Sequence, residues 1–79
     1  MNPHILMVID NQLNPAKYTK EQLKQNADDA DNAAAAITAA AYYAADAAAD
    51  DDAYWLNQYL RYSGENKQDY IDAINKDNK

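Results

Sequence analysis

The sequence predicts an all-α chain: one long Ala-rich central helix between short N- and C-terminal helices, arranged as a helical hairpin or coiled-coil-like and self-associating. Three observations carry this prediction. The stretch Gln25 to Leu60 has no Gly, Pro, Lys or Arg and is rich in alanine, the strongest helix former. Apolar and small residues recur in it at heptad spacing. Helix-start signals stand at Asn2-Pro3, Thr19 and Asn66, and the chain's only Gly follows Ser63.

Asn2 reads as the N-cap and Pro3 as the first residue of a helix over 3–13. Ile5, Ile9 and Leu13 fall at i, i+4 and i+8, with Leu6 beside them. The helix ends before Asn14-Pro15, because a residue preceding proline avoids the helical region. A strand over Ile5 to Ile9 is the rival reading, since three of those five residues are β-branched. Such a strand needs a partner, and only a second copy of the chain would supply one.

Thr19-Lys20-Glu21-Gln22 fits a capping box, with Thr19 and Gln22 exchanging hydrogen bonds. The central helix follows over 20–62. Unbroken, it is about 64 Å long at 1.5 Å per residue. A kink near 28–32 or 50–52 is the alternative, because Asp28, Asp29, Asp31, Asn32, Asp50 and Asp51 can each cap a new helix. The row Leu23, Ala30, Ile37, Ala44 recurs every seven residues, with Ala27, Ala34, Ala41, Ala48 and Trp55 as its companion. Small residues in both rows let two helix axes approach closely, so the rows are expected to form a self-association seam. Trp55, Tyr59 and Tyr62 form the richest apolar row, with Leu56 and Leu60 alongside. Gly64 suits the left-handed position after the helix end. Asn66 caps a last helix over 67–75, with Asp69 placed well for its dipole. Tyr70, Ile71 and Ile74 are its buried face, folding back on Trp55 to Leu60 as an αα-hairpin.

Composition narrows the function. Of the 79 residues 17 are Ala and seven are Tyr, so a core of large side chains is scarce. A lone chain this short buries a low fraction of its surface, which favours a homo-oligomer or a larger partner. The net charge of −6 disfavours direct nucleic-acid binding and anionic membranes, because both depend on Lys and Arg. A protein with a basic surface is the expected partner. There is no Cys, and the N-terminus lacks a basic region followed by a long apolar core. A cytoplasmic protein is expected.

Catalytic signals are weak. His4 is the only histidine and has no Cys or spaced His to complete a metal site. Asp46 and Asp50 lie one turn apart, and Asp51 and Asp52 follow. Paired carboxylates can do acid–base work or hold Mg²⁺, but here they sit on an alanine helix too slight to wall off a pocket. No nucleophile, base and orienting group occur together. A non-enzyme without metal or cofactor is expected. The acidic face of Asp28, Asp29, Asp31, Asp46, Asp50, Asp51 and Asp52 is then the candidate partner-binding surface. Tyr42, Tyr43, Tyr54, Trp55, Tyr59 and Tyr62 are candidates either for interface anchors or for the terminal core, since Trp and Tyr dominate binding hot spots. Tyr42 and Tyr43 are adjacent, so they point about 100° apart on a helix and only one fits a narrow seam.

The tract AYYAADAAAD, then DAYWLNQYL, then SGENKQDYIDAIN resembles small Ala/Asp/Tyr-rich accessory proteins encoded by tailed bacteriophages. The resemblance spans the C-terminal half. It implies a phage protein in the cytoplasm of an infected bacterium that inhibits or modulates a host defence or nucleic-acid-handling protein by occluding its surface. The alternative is a structural or assembly coiled coil whose Ala seam is simply its oligomer interface.

Overall fold

The computed structural model describes residues 2–32, 38–49 and 53–77. All regular structure among them is helical: α1 Pro3–Leu13, α2 Lys20–Asn32, α3 Thr38–Ala49, α4 Tyr54–Ser63 and α5 Lys67–Asp77. The all-α class holds, but the single central helix over 20–62 does not. That helix would measure about 64 Å, whereas the longest extent of the molecule is 34 Å. Instead α2 packs against α3 and α3 against α4, while α1 contacts α2, α3 and α5. Residues 28–32, an expected kink, are regular α2 helix. The other expected kink, 50–52, lies outside the described residues, and α4 begins after Ala53, which makes no side-chain cap.

Folding back has a simple physical cause. A straight alanine helix leaves its small-residue rows in water, and burying apolar area is the main favourable term in folding. Here Leu23, Ala27 and Ala30 of α2 and Ala41, Ala44 and Ala48 of α3 are all buried within one chain. Six residues of the expected self-association seam are therefore covered within the chain, while Trp55 of the companion row is exposed. Ala34 and Ile37 lie outside the described residues.

The local signals act as the sequence suggests. Asn2 Oδ1 accepts from the His4 N–H at 2.9 Å and starts α1 as a helix, not a strand. Thr19 N–H donates to Gln22 Oε1 at 2.8 Å, and Gln22 N–H donates to Thr19 Oγ1 at 3.1 Å. Gly64 ends α4 at φ 70°, ψ 8°. Asn66 Oδ1 accepts from Gln68 N–H at 2.9 Å and starts α5.

The core is a cluster in which α1 contributes Ile5, Val8 and Ile9, α4 contributes Leu56 and Tyr59, and α5 contributes Tyr70 and Ile74, around the alanines of α2 and α3. Two expectations change. Leu13 is exposed, because the buried face of α1 runs through Ile5, Val8 and Ile9 at i, i+3, i+4. And α5 packs on α1 instead of lying along α4 as a hairpin. Polar contacts explain that choice. The Tyr70 hydroxyl donates to Glu65 Oε2 at 2.7 Å and accepts from the backbone N–H of Asn2 at 3.1 Å. This ties the start of α1 to α5 with the hydroxyl satisfied inside the core.

Two further polar clusters fix α1. Asn26, buried on α2, donates from Nδ2 to the His4 carbonyl at 2.9 Å, which orients its Oδ1 toward His4 Nδ1 at 3.1 Å. The ring must therefore carry its proton on Nδ1 to complete the pair. At the other end of α1, buried Asp10 accepts from Lys17 Nζ at 2.6 Å, Tyr18 Oη at 2.7 Å and Asn14 Nδ2 at 2.9 Å. Burial opposes the Asp10 charge, but these three donors and the Lys17 charge outweigh it and hold the carboxyl below its ordinary range.

Candidate functional site

The surface with the most distinctive chemistry lies where α3 meets α2 and α4. On α3 the buried residues are Ala41, Ala44, Ala45, Ala47 and Ala48. Tyr42 and Tyr43 are adjacent on the helix and point about 100° apart. Tyr42 is half-buried toward α2, and Tyr43 is 48% exposed toward α4. On α4 the buried face is Leu56 and Tyr59. Trp55, one position earlier, is therefore turned out of the core and onto the flank of α3.

The rings then form a continuous series. Tyr42 and Tyr43 have centroids 5.6 Å apart, tilted by 59°. Tyr43 stacks on Trp55 at 4.9 Å with 28° between the planes. Trp55 meets Tyr54 edge-on at 5.2 Å and 75°. All three separations lie in the range where aromatic pairs attract beyond simple burial. Yet Tyr43, Tyr54 and Trp55 remain 48%, 55% and 40% exposed.

The expected row of Trp55, Tyr59 and Tyr62 thus divides. Tyr59 is core, Trp55 belongs to the exposed series, and Tyr62 stands apart, 77% exposed. The reason is that Leu56 takes the inward position, which rotates the buried face by one residue. The phenol of Tyr59 is pushed up in pKa by burial and by its hydrogen bond with Glu65.

Carboxylates border the series on the α2 side. Asp46 lies one turn beyond Tyr42 on α3 and is half-buried, while Asp28, Asp29 and Asp31 are exposed on α2. Asp29 accepts from Gln25 Nε2 at 3.0 Å. The negative charge of Asp46, with some burial and the charges of Asp31 and Asp28, raises the pKa of the Tyr42 phenol. Carboxylates from two helices therefore act on one ring. The remaining expected acidic residues, Asp50, Asp51 and Asp52, lie outside the described residues.

Three open depressions of about 240, 250 and 280 Å³ occur among the described residues, and none of the three is lined by the ring series. Each is smaller than the usual small-molecule cleft of roughly 300–1,000 Å³. Among the described residues no group of three or more His, Cys, Asp or Glu is arranged to hold a metal ion. No helix among them is long and apolar enough to cross a membrane.

Reading the sequence alone finds the aromatic residues but misses the Tyr43–Trp55 stack, which joins different helices and has no local signature. It also misses the Asp10 cluster. A signal for that one exists: an acidic side chain in the last turn of a helix opposes the helix dipole and needs compensation. No protein-family model matches the chain, and no curated protein or solved structure matches it either.

Proposed function

We propose that the chain is a non-catalytic protein-binding module that covers a basic surface on a larger partner. The observation that carries this reading is the exposed ring series of Tyr43, Trp55 and Tyr54, continued by Tyr42, whose ring lies near the carboxylates of Asp46, Asp31 and Asp28. Rings that are already held against one another lose little conformational freedom on binding, which favours them as interface anchors. Charges at the rim steer a partner of opposite sign and give specificity more than affinity. The resemblance to phage accessory proteins adds the setting: an inhibitor or modulator of a host defence or nucleic-acid-handling protein, acting in the bacterial cytoplasm by occlusion. The coiled-coil assembly reading is less favoured, because the alanine rows it relies on are buried against one another inside the chain.

The test is capture of a partner from bacterial lysate by the tagged chain at low and high salt. The same capture is run with Tyr43→Ala and with Asp28→Asn/Asp31→Asn/Asp46→Asn. The reading expects one basic partner, weakened by salt and lost with either variant while helical content stays unchanged. Retention of that partner by both variants refutes it.

A further inference from the structure

The ring series and its acidic border admit a more specific statement about the partner, one that rests on the binding role proposed above. Four occupants suit an exposed aromatic face: a second copy of this chain, an apolar protein patch, a lysine-bearing segment or an arginine-bearing one.

A second copy would bring a net charge of −6 against another of −6, with the carboxylates of Asp28, Asp31 and Asp46 at the edge of the contact. Like charges at an interface are unfavourable. An apolar patch would leave Asp46 half-buried beneath it without a counter-ion, and a carboxylate removed from water needs a partner. The surface therefore calls for a cation that can also cover rings.

Lysine and arginine differ here. An ammonium is a compact, strongly hydrated point charge. A guanidinium is planar, more weakly hydrated, stacks on aromatic faces and carries a fork of donors matched to a carboxylate. Tyr43 and Trp55 present stacked faces, and Asp46 lies on the neighbouring flank of α3, one turn from Tyr42, whose ring touches Tyr43. Ring faces and a carboxylate within one short strip suit a group that uses both at once.

We infer that the strip from Asp46 through Tyr42 and Tyr43 to Trp55 is an arginine-recognition surface that binds an arginine-bearing segment of a basic protein. The guanidinium plane lies against the exposed rings while its N–H groups donate to Asp46, with Asp28 and Asp31 holding further basic residues of the segment.

Trp55 is the only tryptophan, so its emission reports on the strip without a label. The full chain is titrated with a capped peptide carrying two arginines and, separately, with the same peptide carrying two lysines. The arginine peptide is expected to shift Trp55 emission and to bind at least fivefold more tightly than the lysine peptide. Tyr43→Ala is expected to weaken the arginine peptide about tenfold, Tyr43→Phe to retain it, and Asp46→Asn to reduce the preference for arginine. Each variant is checked for unchanged helical content.

Equal affinity for the two peptides overturns the inference, as does an arginine affinity that Tyr43→Ala leaves intact. The two proposals fail separately. If the captured partner is lost with Tyr43→Ala but arginine and lysine peptides bind alike, the binding role stands and arginine recognition falls. If the partner is kept by the ring and carboxylate variants, the binding role itself falls.

Discussion

Replacing Ala44 with Leu tests whether the alanine rows are an internal seam. Ala44 has no accessible surface and sits in a cluster with Ala27, Ala41, Ala45 and Ala48. Leu adds three carbons. If room existed, their burial would stabilise the chain by about 2.4 kcal/mol, at roughly 0.8 kcal/mol per methylene. Ala44 is fully covered by its neighbours in this cluster, and overpacking a filled core costs about 1–3 kcal/mol. The sign of the effect is thus the test. A 79-residue domain has roughly 4–12 kcal/mol of stability in total, so the loss is a substantial share. With a urea slope of about 1 kcal/mol per molar, A44L should lower the unfolding midpoint by about 1–3 M. The assay is urea unfolding followed by circular dichroism at two protein concentrations. Because the seam lies within one chain, the midpoint of neither protein should depend on concentration. A more stable A44L, or a midpoint that rises with concentration, would refute the internal seam.

Other consequences follow from the polar clusters and the helix ends. Asp10 and Glu65 both have depressed carboxyl pKa values, burial being outweighed by their hydrogen bonds. Their stabilisation is therefore complete above the ordinary values of 3.8 and 4.5 and is lost as the pH falls through the lower folded values. Asp10→Asn should flatten that acid limb and cost about 1–2 kcal/mol at neutral pH, a modest figure because the Lys17 side chain is 43% exposed and screened. Tyr70→Phe removes the bonds to Glu65 and Asn2 and should cost about 1–3 kcal/mol in the same unfolding assay. Burial and the Glu65 hydrogen bond raise the Tyr70 pKa. Its contribution is complete below 10.0 and declines as the pH rises toward the folded value, so alkaline titration should show Tyr70 ionising above the ordinary tyrosine range. Gly64→Ala meets no atom within 4 Å, so its cost is the left-handed backbone alone, about 1 kcal/mol, read from thermal unfolding.

What could be read from the sequence was local. Asn2-Pro3, Thr19-Gln22, Gly64 and Asn66 each specify a helix end through atoms a few residues apart, and each does so in the structure. Heptad spacing identified Leu23, Ala27, Ala30, Ala41, Ala44 and Ala48 as buried, because periodicity reports a face. It does not report what the face meets. Two alanine rows pack equally well between chains or within one, and only the tertiary fold decides. The same limit applies to α4. A one-residue rotation moves Trp55 from core to surface, and the choice depends on Leu56 fitting against the other helices. Asp10 and Tyr70 illustrate a third limit: their partners Lys17 and Asn2 come from a connector and a helix start, where no periodic pattern operates.

The most direct test of the account is a nuclear Overhauser measurement between the Tyr43 and Trp55 rings in the full chain. The two residues are twelve apart in sequence, so in one straight helix they stand about 18 Å apart along the axis and show no cross-peak. In the folded chain the ring centroids are 4.9 Å apart, and a strong cross-peak is expected. The cross-peak must arise within one chain, as shown by mixing labelled and unlabelled protein. Its absence, or its appearance only between chains, would contradict both the folded-back arrangement and the surface built on it.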